Sequence, residues 1–328
     1  YADWRWVLFV NVPIGIAVAF AARYVLASGP SRRPSLEGRL DLPGTVTGTA
    51  GIVALVYGLS NAATSPNGTS HWGDAKVVVA LAASAVLLAA FAVIESRNRH
   101  ALLPMRLLRN RNRVGAYLMM LGVGTTIAGV FFFLTVFVQE VWGYSALRTG
   151  IAFLPVTAAM LVGAVGATAL VARIGARPVL VGGSAVTVGG LYWLSRMTEH
   201  GTYAGDLLGA GLVLGIGFGL LIVPLQLLAL TRVPEADSGA AASLLNAGRQ
   251  VGGAIGLAVL GTVGWTVVAD NARGRGAVAV ASSASAAYRH ALAVGFDRAF
   301  LVGAGIAVLI LLVAVLTIRI RRADLAGS

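Results

Sequence analysis

The chain has 328 residues, 57% of them hydrophobic and 12% charged, with a mean hydropathy of +0.82 and a formal net charge of +12. Soluble domains are about 45–50% apolar and about 25% charged, so this composition excludes an ordinary soluble fold. There is no cysteine, which excludes disulfides, thiolate metal sites and cysteine nucleophiles.

Apolar runs of about 20 residues suffice to cross a hydrocarbon core of about 30 Å. Nine such runs follow one another, at residues 6–26, 42–62, 75–94, 114–138, 149–171, 179–194, 207–230, 240–268 and 300–320. They predict an all-α polytopic membrane protein embedded in a lipid bilayer. The first run begins almost at Tyr1, with no initiator Met and no signal-peptide pattern, as expected of the back part of a longer protein.

The basic residues lie between the runs. One alternate set of connections and tail, at 23–39, 95–113, 173–177, 232 and 319–322, holds sixteen Lys and Arg, the other set eight. Positive loops stay in the cytoplasm, which predicts a cytoplasmic C-terminus and an outer Tyr1. Membrane orientation accounts for the charge, and no nucleic-acid partner is expected. The most basic connection contains "LLPMRLLRN", expected as a short amphipathic helix on the inner leaflet. The outer segment 270–297, rich in Ala, Gly and Ser, is expected as a loop with at most a weak surface helix.

Within the spans, glycines recur every fourth residue at Gly211, Gly215 and Gly219, and again at Gly248, Gly252 and Gly256. Small residues let helix backbones approach in lipid, so both ladders read first as packing seams. The eighth run also carries Asn246, Arg249 and Gln250. Ser243, Asn246 and Gln250 share a face within about 60° on a helical wheel, and Arg249 lies between that face and the glycines. A charge at membrane depth is expensive and so faces protein or a wet cavity. A functional residue between bundles and a permanent structural contact are both open at this point. In the fourth run Thr125, Phe132, Thr135 and Gln139 cluster within about 80°. Together with Gln226, beside Pro224, they are candidates to line a cavity for amphipathic molecules. All thirteen carboxylates lie at or beyond span ends, and Glu235 and Asp237 read as caps of the eighth helix. The four histidines show no metal-ligand spacing, and no clustered His or carboxylates point to an enzyme.

"WRWVLFVNVPIGI" at the start of the chain resembles the sixth helix of the fourteen-helix drug:proton antiporters of the major facilitator superfamily, the EmrB/QacA type. "GIGFGLLIVPLQLLAL", "SGAAASLLNAGRQVGGAIGLAVLG" and "YRHALAVGFDRAFLVGAG" resemble, in order, its twelfth helix, its thirteenth and the approach to its fourteenth. The resemblance covers essentially the whole chain. It implies the major facilitator fold, with nine transmembrane helices equivalent to the family's sixth to fourteenth. Residues 1–28 would be the last helix of the N-terminal bundle, 29–113 two linker helices with basic cytoplasmic loops, and 114–328 a C-terminal six-helix bundle.

"LVARIGARPVL" looks like a degenerate copy of the superfamily's cytoplasmic loop motif. Arg173, Gly175 and Arg177 match it, while Ala172 stands at its aspartate and Thr168 at its first glycine. A tight basic turn is expected there, without the full motif's charge relay. By the same resemblance Thr125, Phe132, Thr135, Gln139 and Gln226 become cavity candidates. Asn246, Arg249 and Gln250 become candidates for the interface with the N-terminal bundle, which is missing from this sequence along with its membrane-embedded acid.

The implied function is proton-coupled efflux of amphipathic or cationic small molecules by alternating access in the cell membrane. The proton gradient is the energy source, with no cofactor, and the activity is transport rather than catalysis. A dedicated exporter of one metabolite, or a non-transporting receptor or scaffold, is the competing expectation.

Overall fold

The computed structural model describes residues 9–25, 41–98, 102–274 and 286–319, which form nine α-helices and no strand. The chain divides into two compact units, residues 1–40 and 41–328. In the first, helix α1 spans Asn11–Val25. The ends of the predicted span 6–26 lie outside the described residues. Pro13 falls in the first turn, where its missing N–H removes no helical hydrogen bond.

The second unit contains α2 (Leu42–Ala62), α3 (Ala75–Arg97), α4 (Arg111–Val136), α5 (Ala146–Ile174), α6 (Ala176–Leu194), α7 (Gly209–Leu230), α8 (Glu235–Gly274) and α9 (Ala286–Thr317). Seven helices, α2 to α5 and α7 to α9, are long and apolar enough to cross a membrane. Of the two others, α1 is described over 15 residues, and α6 has 19, among which Arg177 and four glycines dilute the apolar run. Polar side chains fix several helix starts. Asp41 Oδ1 accepts from Gly44 N at 2.9 Å before α2, and Asn110 Oδ1 accepts from the amides of Asn112 and Arg113 before α4.

Helix α4 packs along α8 and α9, α7 packs against α5 and α6, and α9 also meets α6. Phe133, Phe137, Phe218, Phe296 and Phe300 are fully buried among them. The Phe133 and Phe296 rings lie 5.3 Å apart and both meet Trp265. The α2–α3 hairpin belongs to the same unit. Leu59 of α2 packs against Ala254 and Ala258 of α8, and Trp72 Nε1 donates to Thr262 Oγ1 at 2.8 Å.

Three expectations are corrected. The outer segment 270–297 is mostly helix, since α8 continues to Gly274 and α9 begins at Ala286, with residues 275–285 outside the described set. The reason is burial. Leu292, Phe296, Ala299 and Phe300 repeat at helical spacing and reach the core. "LLPMRLLRN" forms a 3-10 turn over Met105–Arg109, with Leu107 buried, rather than an amphipathic helix. Asp237, read as a cap, lies in the first turn of α8 and pairs with Arg106. Both its oxygens accept from Arg106, Nε to Oδ2 and Nη2 to Oδ1, each at 2.8 Å.

Candidate functional site

The two glycine ladders set the geometry from which the site follows. A Cβ on Gly252 would lie 2.9 Å from the Leu121 carbonyl carbon, and one on Gly256 equally close to that of Thr125. Real Cβ atoms do not approach so closely, so α4 and α8 touch backbone to backbone along this seam. Gly215 and Gly219 of α7 meet the α5 backbone at Val156 and Met160 in the same way. Gly124 of α4 sits against the backbone of Arg249. That contact fixes where the arginine leaves α8.

Beside this seam lies a cavity of about 460 Å³ between α4, α7 and α8. Met120, Ile222, Leu230 and Leu245 supply apolar wall, and Gln226, Asn246 and Arg249 supply the polar groups. Arg249 Nη2 donates to Asn246 Oδ1 at 3.1 Å, one turn back along the helix. Arg249 stands 14 residues into α8, about 21 Å along its axis, within the span rather than at its end. The cavity occupies the half of the bundle nearer the turn at Arg232, since Leu230 ends α7 and Ala242 lies in the early part of α8. Among the described residues no carboxylate lines it. An apolar chamber with a few convergent polar groups is the usual form of a small-molecule site.

The sequence candidates therefore regroup. Gln226, assigned to a cavity, and Asn246 and Arg249, assigned to a bundle interface, share this one chamber. Gln250 does not line it, although it is exposed as Gln226, Asn246 and Arg249 are. The α4 candidates do not join them. Thr125 is 2% exposed in the α4–α8 seam, and its hydroxyl donates to Leu121 O at 2.9 Å. Phe132 is 47% exposed, pointing away from the core that holds its neighbour Phe133. Thr135 is half-buried and donates to Phe131 O, and Gln139 sits in the π-helical turn Phe137–Val141 that ends α4. Gln139 is 19 residues beyond Met120, about 28 Å further along the axis. Met120 of α4 was missed. As one apolar residue among many, it carries no sequence signal for a wall.

Gly175 alone joins α5 to α6, with φ +89° and ψ +166°, a conformation open essentially to glycine. Arg173 is exposed, and Arg177 Nη2 donates to Val315 O at 3.2 Å. Arg111 Nη2 donates to Leu316 O. Two arginines thus satisfy carbonyls of the last turn of α9, at the negative end of its dipole. Arg113, also unforeseen, is buried and donates to Thr231 O and Leu107 O, tying the start of α4 to the α7–α8 turn. Among the described residues no group of three or more His, Asp or Glu side chains comes together as a metal site.

A family model described as the Major Facilitator Superfamily matches residues 1–257. The cephamycin export protein CmcT of Amycolatopsis lactamdurans is 42% identical over 265 residues, covering 80% of this chain and 53% of that protein. The puromycin resistance protein pur8 of Streptomyces alboniger is 34% identical over 331 residues, covering 100% and 63%. The tetracenomycin C resistance and export protein of Streptomyces glaucescens is 29% identical over 270 residues, covering 82% and 49%. The chain thus spans about half to two-thirds of the length of these relatives. With the helical architecture and a family match over most of its length, the chain belongs to the Major Facilitator Superfamily, among relatives named for antibiotic export or resistance.

Proposed function

We propose that this chain forms the C-terminal part of a proton-coupled antiporter that exports amphipathic small molecules from the cell, with its C-terminus in the cytoplasm. The observation that carries the reading is the chamber between α4, α7 and α8, where Gln226, Asn246 and Arg249 face one apolar space. Close glycine seams make α4–α8 and α5–α7 rigid pairs. Rigid pairs suit a bundle that rocks as one body around a midplane site. No cofactor is required, because the proton gradient supplies the energy. The remaining helices of the whole transporter would close the other side of the chamber and supply the coupling acid. Relatives are named both for a single antibiotic and for multidrug resistance.

The test uses the full-length transporter in everted membrane vesicles. Uptake of an amphipathic dye on energisation, abolished by a protonophore, is the expected result. Well-inserted protein that moves no amphipathic dye or antibiotic under an imposed proton gradient would overturn the reading.

A further inference from the structure

The chamber's polar groups are donors in excess. Arg249 gives one hydrogen bond, to Asn246 Oδ1, and its other guanidinium N–H groups have no partner among the described residues. The same holds for the Asn246 and Gln226 amide groups, apart from that one accepted bond. A guanidinium offers five N–H donors and no acceptor, and each amide adds two more donors. Asp237, the buried carboxylate in the first turn of the same helix, lies about 18 Å back along the axis from Arg249 and is committed, bidentate, to Arg106. Among the described residues the chamber lining therefore presents a positive charge and no counter-charge.

The backbone that carries the charge is also held in place. The Arg249 backbone lies against Gly124, where any side chain would collide with it, and Asn246 orients the guanidinium. A pre-positioned fork of donors matches the planar pair of oxygens of a carboxylate. Gln226, Asn246 and Arg249 are exposed in the described structure; once the rest of the transporter shields them from bulk water, a charged donor left without an acceptor is costly, which disfavours a cationic occupant and favours an acidic one.

We infer that the chamber recognises the carboxylate of an anionic amphipathic substrate, with Arg249 pairing the acid, Asn246 and Gln226 completing its hydrogen bonds, and Met120, Ile222 and Leu245 packing its apolar body. The inference rests on the exporter reading and departs from the cationic substrates that the family resemblance implies.

Two dyes built on one xanthene frame but of opposite charge, carboxyfluorescein and rhodamine 6G, test it. Binding to the purified full-length transporter is followed by fluorescence anisotropy, and export in everted vesicles is measured separately. Carboxyfluorescein should bind more tightly than rhodamine 6G. Arg249→Gln should weaken carboxyfluorescein about 10- to 100-fold, as expected for a charge-assisted hydrogen-bond pair. Its rhodamine 6G affinity should hold or rise. Arg249→Lys should fall between wild type and Arg249→Gln, and Gln226→Leu, which leaves the charge in place, should weaken carboxyfluorescein only a fewfold.

Carboxyfluorescein affinity unchanged in Arg249→Gln would overturn the inference. So would a fall in thermal stability without a change in dye selectivity, the signature of an arginine paired to a carboxylate elsewhere in the transporter. Export of rhodamine 6G but not carboxyfluorescein, unaffected by Arg249→Gln, leaves the exporter standing and removes the anion site. Arg249-dependent carboxyfluorescein binding without export of either dye leaves the anion site and removes the exporter.

Discussion

Alanine substitutions along the second glycine ladder should separate residues that the sequence treats as equal. At Gly248 a Cβ would lie 3.6 Å from Tyr117 O, an ordinary contact. At Gly252 it would lie 2.9 Å from the Leu121 carbonyl carbon and 3.0 Å from Thr125 N. These are backbone atoms of a helix, with no rotamer to turn away, so α4 and α8 must separate. Overpacking of this kind costs about 1–3 kcal/mol, and the rigid obstacle puts Gly252→Ala near the upper end. Alanine returns about 1 kcal/mol of helix propensity at either site. Gly252→Ala should therefore lose about 2 kcal/mol, while Gly248→Ala gains up to about 1 kcal/mol. Gly305→Ala, where nothing lies within 4 Å, is the control for propensity alone. Thermal unfolding of the full-length transporter in nanodiscs, with helix content checked by circular dichroism, measures the three variants side by side. Equal midpoints for Gly248→Ala and Gly252→Ala would refute the close seam and, with it, the fixed position of Arg249.

Gly175→Ala should cost about 1–3 kcal/mol, because its positive φ with extended ψ is strained for any Cβ-bearing residue, and thermal midpoints measure the loss. Arg106→Ala should destabilise by about 1–2 kcal/mol. It strands the 5%-exposed Asp237, while the exposed arginine end of the pair is screened by solvent. A double-mutant cycle with Asp237→Asn measures the coupling, which should shrink as salt is raised. Glu95→Gln should stabilise by about 1 kcal/mol. Glu95 Oε1 and Asp41 Oδ2, both buried with no hydrogen-bond partner among the described residues, lie 2.8 Å and 2.5 Å from where a Gly44 Cβ would stand. An amide there can donate to the facing carboxylate, and a fall in the thermal midpoint would count against that arrangement.

The membrane class, the helix count and the packing role of the glycines follow from sequence because they depend on local composition. An apolar run of sufficient length must be helical in lipid, where each backbone polar group needs an internal partner. The one-residue turn at Gly175 was legible for a similar reason, since few residues other than glycine adopt its backbone. Helix ends were less legible. The start of α9 at Ala286 depends on Leu292 and Phe296 finding a core that only the other helices create.

The chamber was legible in part. Arg249, Asn246 and Gln226 stand out as polar groups in apolar runs, whatever the fold. That they face one space, while Thr125 disappears into a seam and Gln139 sits far along the same helix, depends on how α4, α7 and α8 rotate against one another. A helical wheel gives the angle of a residue on its own helix and nothing about its neighbours. Sequence determined which residues are costly to place in a membrane. Tertiary packing decided which of them share a chamber, because the close approach at Gly124, Gly252 and Gly256 sets which face of α8 remains open.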